Sequence, residues 1–211
     1  MLSTILFDFD GTIADTFEPA IDILYDMADK YHYPKVDKEE ITKMRSLSMK
    51  EVCDQLHVPL WRLPFIAAEL QGRLYAHMEQ IPAFKGMPEA LERLKGMGYR
   101  LGIVSSNNQQ NIQRFLKAQH IDVFDAIYSE TSIFGKARVI RGFLQKYHVQ
   151  KDHVVYVGDE MRDIEAAKQV GVPMIAVTWG LNLKTSLEKL HPEFIADSPK
   201  ELIDVIKSYN T

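Results

Sequence analysis

The chain has 211 residues, of which 46% are hydrophobic and 26% charged, and its formal net charge is −4 at pH 7. This composition is typical of a globular protein of one domain, or of one domain with a modest insertion, and excludes a disordered or fibrous chain. The negative charge argues against sequence-independent binding of nucleic acid, because such binding depends on Lys and Arg residues that neutralise phosphates.

The sequence carries no sign of secretion or membrane insertion. Met1 leads into a short apolar run without the basic region and the long apolar stretch of a signal peptide. No segment approaches the roughly 18 uninterrupted apolar residues that span a bilayer. The single cysteine, Cys53, has no internal disulfide partner. We therefore expect a cytoplasmic protein that binds neither membranes nor nucleic acid.

Short apolar runs, each ending at a polar or glycine-containing turn, predict the strands of a sheet. The clearest runs are residues 4–9, 100–104, 154–157 and 173–177, with further candidates at 126–128 and 194–196. The runs are almost continuously hydrophobic rather than alternating, which indicates strands that are buried on both faces of a parallel sheet.

Segments with apolar residues at three- and four-residue spacing lie between these strands and predict helices at 88–97, 109–118, 136–147 and 161–170. Gly98 and Gly171 stand where two of these helices would end. The alternation of strand and helix over residues 83–211 predicts an α/β fold with a Rossmann-like, doubly wound parallel sheet.

The stretch from residue 17 to residue 82 contains helical patterns and no convincing strand. We interpret it as a small, all-helical domain inserted between the first strand and the rest of the core, which comprises residues 1–16 and 83–211. The apolar residues of the insertion are expected to form its own core: Trp61, Phe65, Leu70 and Leu74.

Polar residues follow the predicted strands at their carboxyl ends, where ligands bind in open α/β sheets. Asp8 and Asp10 follow the first strand, Ser105 the second, and Asp159 the strand at 154–157. Lys136 begins the helix that precedes that last strand. We expect these side chains to converge on one crevice.

Such a set suits phosphoryl transfer, where dense negative charge must be held and neutralised. Asp8 and Asp159, with a nearby backbone carbonyl, are oxygen ligands suited to Mg²⁺. Asp8 is the predicted nucleophile, which forms an aspartyl-phosphate. Asp10 is the predicted general acid and base. The expected partner is a small phosphorylated metabolite.

The remaining predicted contacts are to the phosphate. Lys136 supplies a positive charge, and the Ser105 hydroxyl with the backbone N–H groups of Ser106 and Asn107 supplies hydrogen-bond donors. Ser105 would serve equally as a helix cap. Asp163 fits either a site acid or a first-turn acid that the helix dipole favours. The histidines show no metal-ligand spacing.

With these residues in place, the chain resembles the haloacid dehalogenase-like hydrolases over its whole length. The segment from Asp8 to Thr16 is similar to the first motif of the family, Ser105 to the second, Lys136 to the third, and Gly158–Asp159 with Asp163 to the fourth. The resemblance implies a Rossmann-like core, Mg²⁺, an aspartyl-phosphate and a helical cap inserted after the first motif.

The same resemblance refines the roles of two acids. It implies that the backbone carbonyl of Asp10, rather than its carboxylate, ligates the metal. It also implies that Asp163 supports the ligands indirectly, or binds the metal itself as in some members. An acid at position 10 favours phosphate-ester chemistry over cleavage of carbon–halogen or carbon–phosphorus bonds. The insertion and the Asp15-Thr16 ending look most like the phosphoglycolate phosphatase and β-phosphoglucomutase branch.

The predicted function is therefore a magnesium-dependent phosphatase, whose substrate is selected by the cap. Two alternatives stay open: a sugar phosphomutase, and a non-catalytic binding or regulatory protein on the same fold. In the cap, Arg45 is the candidate for substrate recognition. Its alternative is a solvated arginine ahead of a helix that Ser48 and Glu51 cap reciprocally. The oligomeric state, monomer or dimer, stays undetermined.

Overall fold

The computed structural model of the protein describes residues 2–130 and 135–209, and its centre is a parallel sheet. The six strands are β1 (Thr4–Phe7), β2 (Arg100–Ser105), β3 (Ala126–Ser129), β4 (Val154–Gly158), β5 (Met174–Val177) and β6 (Phe194–Ala196). Their order is β3-β2-β1-β4-β5-β6, with every pair parallel. The strand order reverses direction between β1 and β4, which is where a doubly wound sheet binds its ligand.

Helices connect and cover these strands. The helices of the first half of the chain are α1 (Phe17–Tyr31), α2 (Lys38–Met44), α3 (Met49–Gln55), α4 (Leu63–Tyr75) and α5 (Met87–Gly96). Those of the second half are α6 (Gln109–Ala118), α7 (Lys136–Lys146), α8 (Met161–Val170), α9 (Lys184–Glu188) and α10 (Pro199–Tyr209). The α/β fold class and the four predicted core helices are confirmed. No helix within the described ranges is long and apolar enough to cross a membrane.

The strands are apolar throughout because both faces of the sheet are covered. Ile5 and Phe7 of β1 pack with Val155 of β4 in one buried cluster. Leu6 and Tyr156, the intervening residues, pack in a second cluster on the opposite face. Successive side chains of a strand point to opposite faces, so a strand with two covered faces needs hydrophobic residues at every position.

The helical segment begins and ends at adjacent points beside the sheet. The Asp15 N–H donates to the Pro82 carbonyl at 3.0 Å, and the Phe84 N–H donates to the Ile13 carbonyl at 3.1 Å. Between these two connections, residues 17–82 form α1 to α4, a short 3₁₀ turn at 60–62 and no strand.

The expected packing of the inserted segment is partly wrong. Leu74 is buried and Leu70 packs against the main hydrophobic cluster, but Trp61 and Phe65 are 66% and 62% exposed. The Arg62 guanidinium lies 5.2 Å from the centre of the Trp61 ring, so the indole contacts a neighbouring cation at the surface instead of the core.

Several histidines have a structural role that their spacing did not suggest. Residues 32, 57, 120, 148 and 191 are all histidines with positive φ, between 46° and 56°. Each follows a helix, at the position where glycine or asparagine commonly ends it. These histidines terminate helices and do not form a metal site.

Candidate active site

Asp8 lies immediately beyond β1, at the carboxyl edge of the sheet. Its N–H continues the ladder by donating to the Val157 carbonyl at 2.8 Å. Its Oδ1 accepts from the Phe9 N–H at 2.7 Å, and the Phe9 carbonyl then accepts from Ile13 and Ala14. The predicted strand to residue 9 is therefore too long: β1 ends at Phe7, because the backbone after Asp8 hydrogen-bonds within a turn instead of to a neighbouring strand.

Three buried carboxylates meet at this edge. Oxygens of Asp8, Asp159 and Asp163 lie within 4.8 Å of one another. The Lys136 Nζ, also buried, lies 2.7 Å from Asp8 Oδ1 and 3.1 Å from Asp163 Oδ1. Four residues thus come together: two that directly follow β1 and β4, one from α8 and one at the start of α7.

The acids outnumber the cations here, and the pKa values of Asp8 and Asp159 are raised. Burial raises the pKa of Asp8 to about 7 in spite of the nearby Lys136 ammonium. Burial, with the negative charges of Glu160, Asp163 and Asp8, holds the pKa of Asp159 well above its usual range. Burial alone would lower the Lys136 pKa, but Asp163 and Asp8 keep it above its ordinary value. Lys136 is therefore a stable cation.

These residues fit a hard divalent cation. The ligand set consists of carboxylate oxygens, which Mg²⁺ prefers. The buried Oδ1 of Asp163 has no hydrogen-bond partner among the described residues, so it has lone pairs for a metal or for Lys136. A bound dication would also offset the mutual repulsion that raises the Asp159 pKa.

Asp10 lies at the edge of the cluster and is held by an amide. The Asn107 Nδ2 donates to both carboxylate oxygens of Asp10, at 3.1 and 3.0 Å. The Asn107 Oδ1 accepts from Asn111 at 2.8 Å, which fixes the direction of the amide. Burial raises the pKa of Asp10, and bonds from Asn107 and Thr16 partly oppose this effect. A raised pKa suits a group that must donate and accept a proton.

The predicted phosphate-binding segment begins at the end of β2. Ser105 is fully buried, and its hydroxyl oxygen accepts from the Asn107 N–H at 3.0 Å. This bond occupies one of the two backbone donors predicted for the phosphate and leaves the Ser105 hydroxyl hydrogen to donate. The Ser106 carbonyl accepts from Gln71 of α4 at 2.9 Å. A helix of the inserted segment thus contacts the site directly.

Asp163 is both a helix-capping residue and a member of the acid cluster. Its Oδ2 accepts from the Glu160 N–H at 3.1 Å, as half of a reciprocal capping box at the start of α8. A β-carbon on Gly158 would lie 2.5 Å from Asp163 Oδ2, so glycine is needed where β4 passes this carboxylate. The two interpretations of Asp163 therefore coexist.

Gly11 permits the approach of Asp159. Its φ is +77°, and a β-carbon there would lie 2.2 Å from Asp159 Oδ2. Any side chain at position 11 would both strain the backbone and displace the carboxylate. The glycine of the first motif is therefore required for the position of Asp159 in the fourth motif.

The loop after β5 completes the site, although no residue in it was a sequence candidate. The Leu181 N–H donates to Asp159 Oδ2 at 2.7 Å, and the Thr12 hydroxyl donates to Asp159 Oδ1 at 2.7 Å. The Trp179 Nε1 donates to the Thr12 carbonyl at 3.1 Å. The sequence did contain one signal for this loop, because the loop follows the carboxyl end of the predicted strand at 173–177, and ligands bind at such ends.

Glu160 and Arg162 also border the site. The Arg162 Nη2 lies 2.6 Å from Glu160 Oε1, and Arg162 Nε has no hydrogen-bond partner among the described residues. Burial opposes the charge on Arg162, but Glu160, Asp163 and Asp8 hold its pKa above the ordinary value. Sequence reasoning did not single out Arg162, since one arginine in a helix carries no pattern of its own.

Arg45 contacts the loop after β5. Its Nε donates to the Leu181 carbonyl at 2.9 Å and its Nη2 to the Gly180 carbonyl at 2.8 Å. In return, Asn182 Nδ2 donates to the Arg45 carbonyl at 2.9 Å. The predicted capping box of Ser48 and Glu51 at the start of α3 is confirmed. The guanidinium therefore joins the helical segment of residues 17–82 to the loop after β5.

The raised acid pKa values predict how pH changes the stability of metal-free protein. Asp8 titrates near 3.8 when unfolded and near 7 when folded, so the folded state binds more protons between these pH values. This contribution makes folding less favourable as pH rises from about 4 to about 7. Asp8→Asn should therefore raise the urea midpoint in EDTA, more at pH 8 than at pH 5.

Mg²⁺ provides the control for that measurement. Added Mg²⁺ should stabilise the wild type more at pH 8 than at pH 5, because metal and protons compete for the same carboxylates. Asp26→Asn, at an exposed site on α1, should follow the wild type at both pH values. A stabilisation by Asp8→Asn that is larger at pH 5 would contradict the assignment.

Comparison with known proteins agrees with this geometry. The haloacid dehalogenase-like hydrolase family matches residues 5–177. A phosphoglycolate phosphatase of Synechococcus elongatus is 31% identical over 206 residues, which cover 97% of each chain. The pyrophosphatase PpaX of Bacillus mycoides is 23% identical over 99% of each chain. The chain also shares its fold, with a TM-score of 0.80, with a haloacid dehalogenase-like hydrolase of Streptococcus pneumoniae.

The Streptococcus pneumoniae protein is 22% identical to this chain, and the match covers 97% of this chain and 98% of that protein. The family match extends from β1 to the end of β5 and includes Asp8, Ser105, Lys136 and Asp159. With the full-length relative above 30% identity, it establishes that the chain belongs to the haloacid dehalogenase-like hydrolases.

Proposed function

We propose that the protein is a magnesium-dependent phosphatase that hydrolyses small phosphorylated metabolites through an aspartyl-phosphate. The observation that carries the proposal is the position of Asp8, whose carboxylate lies beside a buried ammonium and two further buried acids. The names of the two relatives, a phosphoglycolate phosphatase and a pyrophosphatase, support hydrolysis of phosphate compounds. The unpaired thiol of Cys53 is consistent with the cytoplasmic location that we also propose.

In this proposal, each residue of the site has one task. The Asp8 carboxylate attacks phosphorus, and the bond between phosphorus and the leaving oxygen breaks. Asp10 protonates that oxygen and later removes a proton from the water that attacks the aspartyl-phosphate. Lys136 and the Ser105 hydroxyl stabilise the charge on the phosphoryl oxygens. Asn107 keeps the Asp10 carboxylate in place.

The metal would be held by Asp8, Asp159 and the Asp10 backbone carbonyl, with Asp163 next to them. When bound, Mg²⁺ supplies a positive charge that lets an acidic crevice accept a phosphate dianion. Direct ligation by Asp163 is compatible with its Oδ1, whose one close neighbour of opposite charge among the described residues is the Lys136 ammonium at 3.1 Å.

We further propose that residues 17–82 are a cap domain and that residues 1–16 and 83–211 are the catalytic core. The paired connections at 13–15 and 82–84 support this division. So do the contacts of Arg45 and Gln71, which bridge the two parts beside the acids. Cap closure of this kind excludes bulk water from the reaction.

Arg45→Ala tests whether this arginine closes the cap. It removes two charge-assisted bonds across the domain boundary, and we expect kcat/KM to fall by about tenfold or more. The loss should be similar for every ester, because the guanidinium contacts backbone carbonyls. A loss confined to one class of ester would instead indicate that Arg45 recognises substrate. Lys43→Ala, exposed on α2 and paired with Glu39, is the control.

Phosphate release from p-nitrophenyl phosphate, with Mg²⁺ and with EDTA, tests the proposed function. We expect turnover only with the metal, and a broader panel should include phosphoglycolate, sugar phosphates, nucleotides and pyrophosphate. Transfer of phosphate to a sugar instead of water would identify a mutase. Absence of metal-dependent release from every ester would favour the non-catalytic alternative and overturn the proposal.

A further inference from the structure

A cavity of about 400 Å³ lies inside the helical cap and opens onto the proposed catalytic site. Asp10 and Asn107 form part of its wall on the core side, and residues of α1, α2, α3 and α4 form most of the cap side. Its volume falls in the range of small-molecule sites. A substrate whose phosphate lies at Asp8 would therefore extend its leaving group into this cavity.

The cap side of the cavity is apolar. Its wall includes Phe17, Ile21, Leu24, Ile41, Val52 and Leu70. All six are only half-buried although they point into the cap, so they leave apolar surface accessible within the cavity. Unfilled apolar surface of this kind is a binding surface for a hydrophobic group.

Four polar side chains in the cap wall already have partners. The Tyr33 hydroxyl donates to the Leu24 carbonyl at 2.6 Å, and Lys35 pairs with Asp29 at 3.0 Å. Gln71 and Arg45 donate to core carbonyls. A sugar hydroxyl or a carboxylate that entered the cap would lose water without finding these groups free, which is unfavourable.

Besides Lys35 and Arg45, the wall contains charged groups on the core side. Glu160 and Arg162 form an ion pair at 2.6 Å and largely cancel each other. The Arg162 Nε, which has no hydrogen-bond partner among the described residues, is left to donate to a phosphate or ester oxygen. The cavity is thus polar at the phosphate end and apolar beyond it.

From this polarity we infer that the preferred substrates are phosphate monoesters of aliphatic or aromatic alcohols, whose apolar group occupies the cap cavity. The inference rests on the proposed function and specifies its substrate class. It departs from the polar substrate in the name of the phosphoglycolate phosphatase relative. Phosphate sits with Lys136 and the metal ligands, while the chain or ring is enclosed by α1 to α4.

A series of n-alkyl phosphates from ethyl to octyl tests the inference. We expect kcat/KM to increase by about fourfold for each methylene until the cavity is filled. Hexyl phosphate, with four more methylenes, should then exceed ethyl phosphate by about 250-fold. Propyl phosphate should also exceed glycerol 3-phosphate, which has the same number of carbons and two additional hydroxyls. Equal values across the series, or preference for the polar esters, would overturn the inference and leave the phosphatase proposal intact.

Variants in α4 localise the effect. Ala67 lines the cavity, whereas the adjacent Ala68 is exposed and does not. Ala67→Leu should reduce the ratio of kcat/KM for hexyl phosphate to kcat/KM for ethyl phosphate by about tenfold, because the leucine side chain takes up space that the hexyl group needs. Ala68→Leu should leave this ratio at the wild-type value. If the hexyl-to-ethyl ratio is the same in the wild type and in both variants, the alkyl group of the substrate does not occupy this cavity.

Binding of non-hydrolysable alkylphosphonates separates the two proposals. Calorimetry with Mg²⁺ should give tighter binding of hexylphosphonate than of ethylphosphonate, and Ala67→Leu should weaken binding of the hexyl compound. If this pattern holds but no ester is hydrolysed, the cavity assignment stands and the phosphatase proposal fails. If chain length affects neither binding nor turnover, the cavity assignment fails.

Discussion

Asp8→Asn should abolish phosphatase activity, with a loss of kcat of about 10⁴-fold or more. An amide nitrogen or oxygen is a poor nucleophile toward phosphorus, so the covalent step is lost. The substitution preserves the size of the side chain and the bond that Oδ1 accepts from the Phe9 N–H. The ion pair with Lys136 at 2.7 Å is lost, but Lys136 keeps Asp163 as a charged partner at 3.1 Å.

The decisive measurement is covalent labelling. Wild-type protein, quenched in acid during turnover of a ³²P-labelled ester, should carry label on the peptide that contains Asp8, and Asp8→Asn should carry none. Asp26→Asn, exposed on α1, should label like the wild type. Label on another acid, or full activity in Asp8→Asn, would remove Asp8 from its proposed role.

Asp10→Asn should slow both halves of the reaction, by about 10²-fold to 10⁴-fold. The first half needs a proton on the leaving oxygen, and the second needs a base for water. The effect on the first half should shrink for an ester with an acidic alcohol, such as p-nitrophenyl phosphate, because that leaving group departs without protonation. The effect on the second half should persist, since the aspartyl-phosphate is the same for every ester.

Rapid-quench kinetics separate these two effects. With p-nitrophenyl phosphate, Asp10→Asn should release a burst of nitrophenol and accumulate phosphorylated protein. With an alkyl phosphate, both steps should be slow and no burst should appear. Asp22→Asn, exposed on α1, is the matched control. Wild-type rates for both steps in Asp10→Asn would exclude it as the acid and base.

The parallel sheet could be predicted from the sequence because burial on both faces leaves a local record. Ile5, Leu6 and Phe7 are successive apolar residues that enter two different hydrophobic clusters. The convergence of Asp8 and Asp159 followed from the same prediction, since parallel strands carry their carboxyl ends to one edge. Lys136 was also expected in this crevice, and its Nζ lies 2.7 Å from Asp8 Oδ1.

Contacts that depend on how distant loops fold together could not be predicted. The Leu181 N–H bonds Asp159, and the Asn107 side-chain amide bonds Asp10. No sequence motif indicates either bond, because the partners lie 22 and 97 positions apart in the chain. Arg45 was a sequence candidate for substrate recognition, whereas its bonds to Gly180 and Leu181 depend on how the inserted segment meets the core.

By itself, the sequence determined the fold class, the edge of the sheet that carries the site and the acids gathered there, because strand periodicity and short motifs are encoded locally. Tertiary structure alone decided the charge environment that raises the pKa of Asp8 to about 7, since burial depends on every element that surrounds it. It also decided the polarity of the cap cavity. Apolar helix residues such as Leu24 and Leu70 have the same pattern whether they fill a core or line a space, and only packing separates the two outcomes.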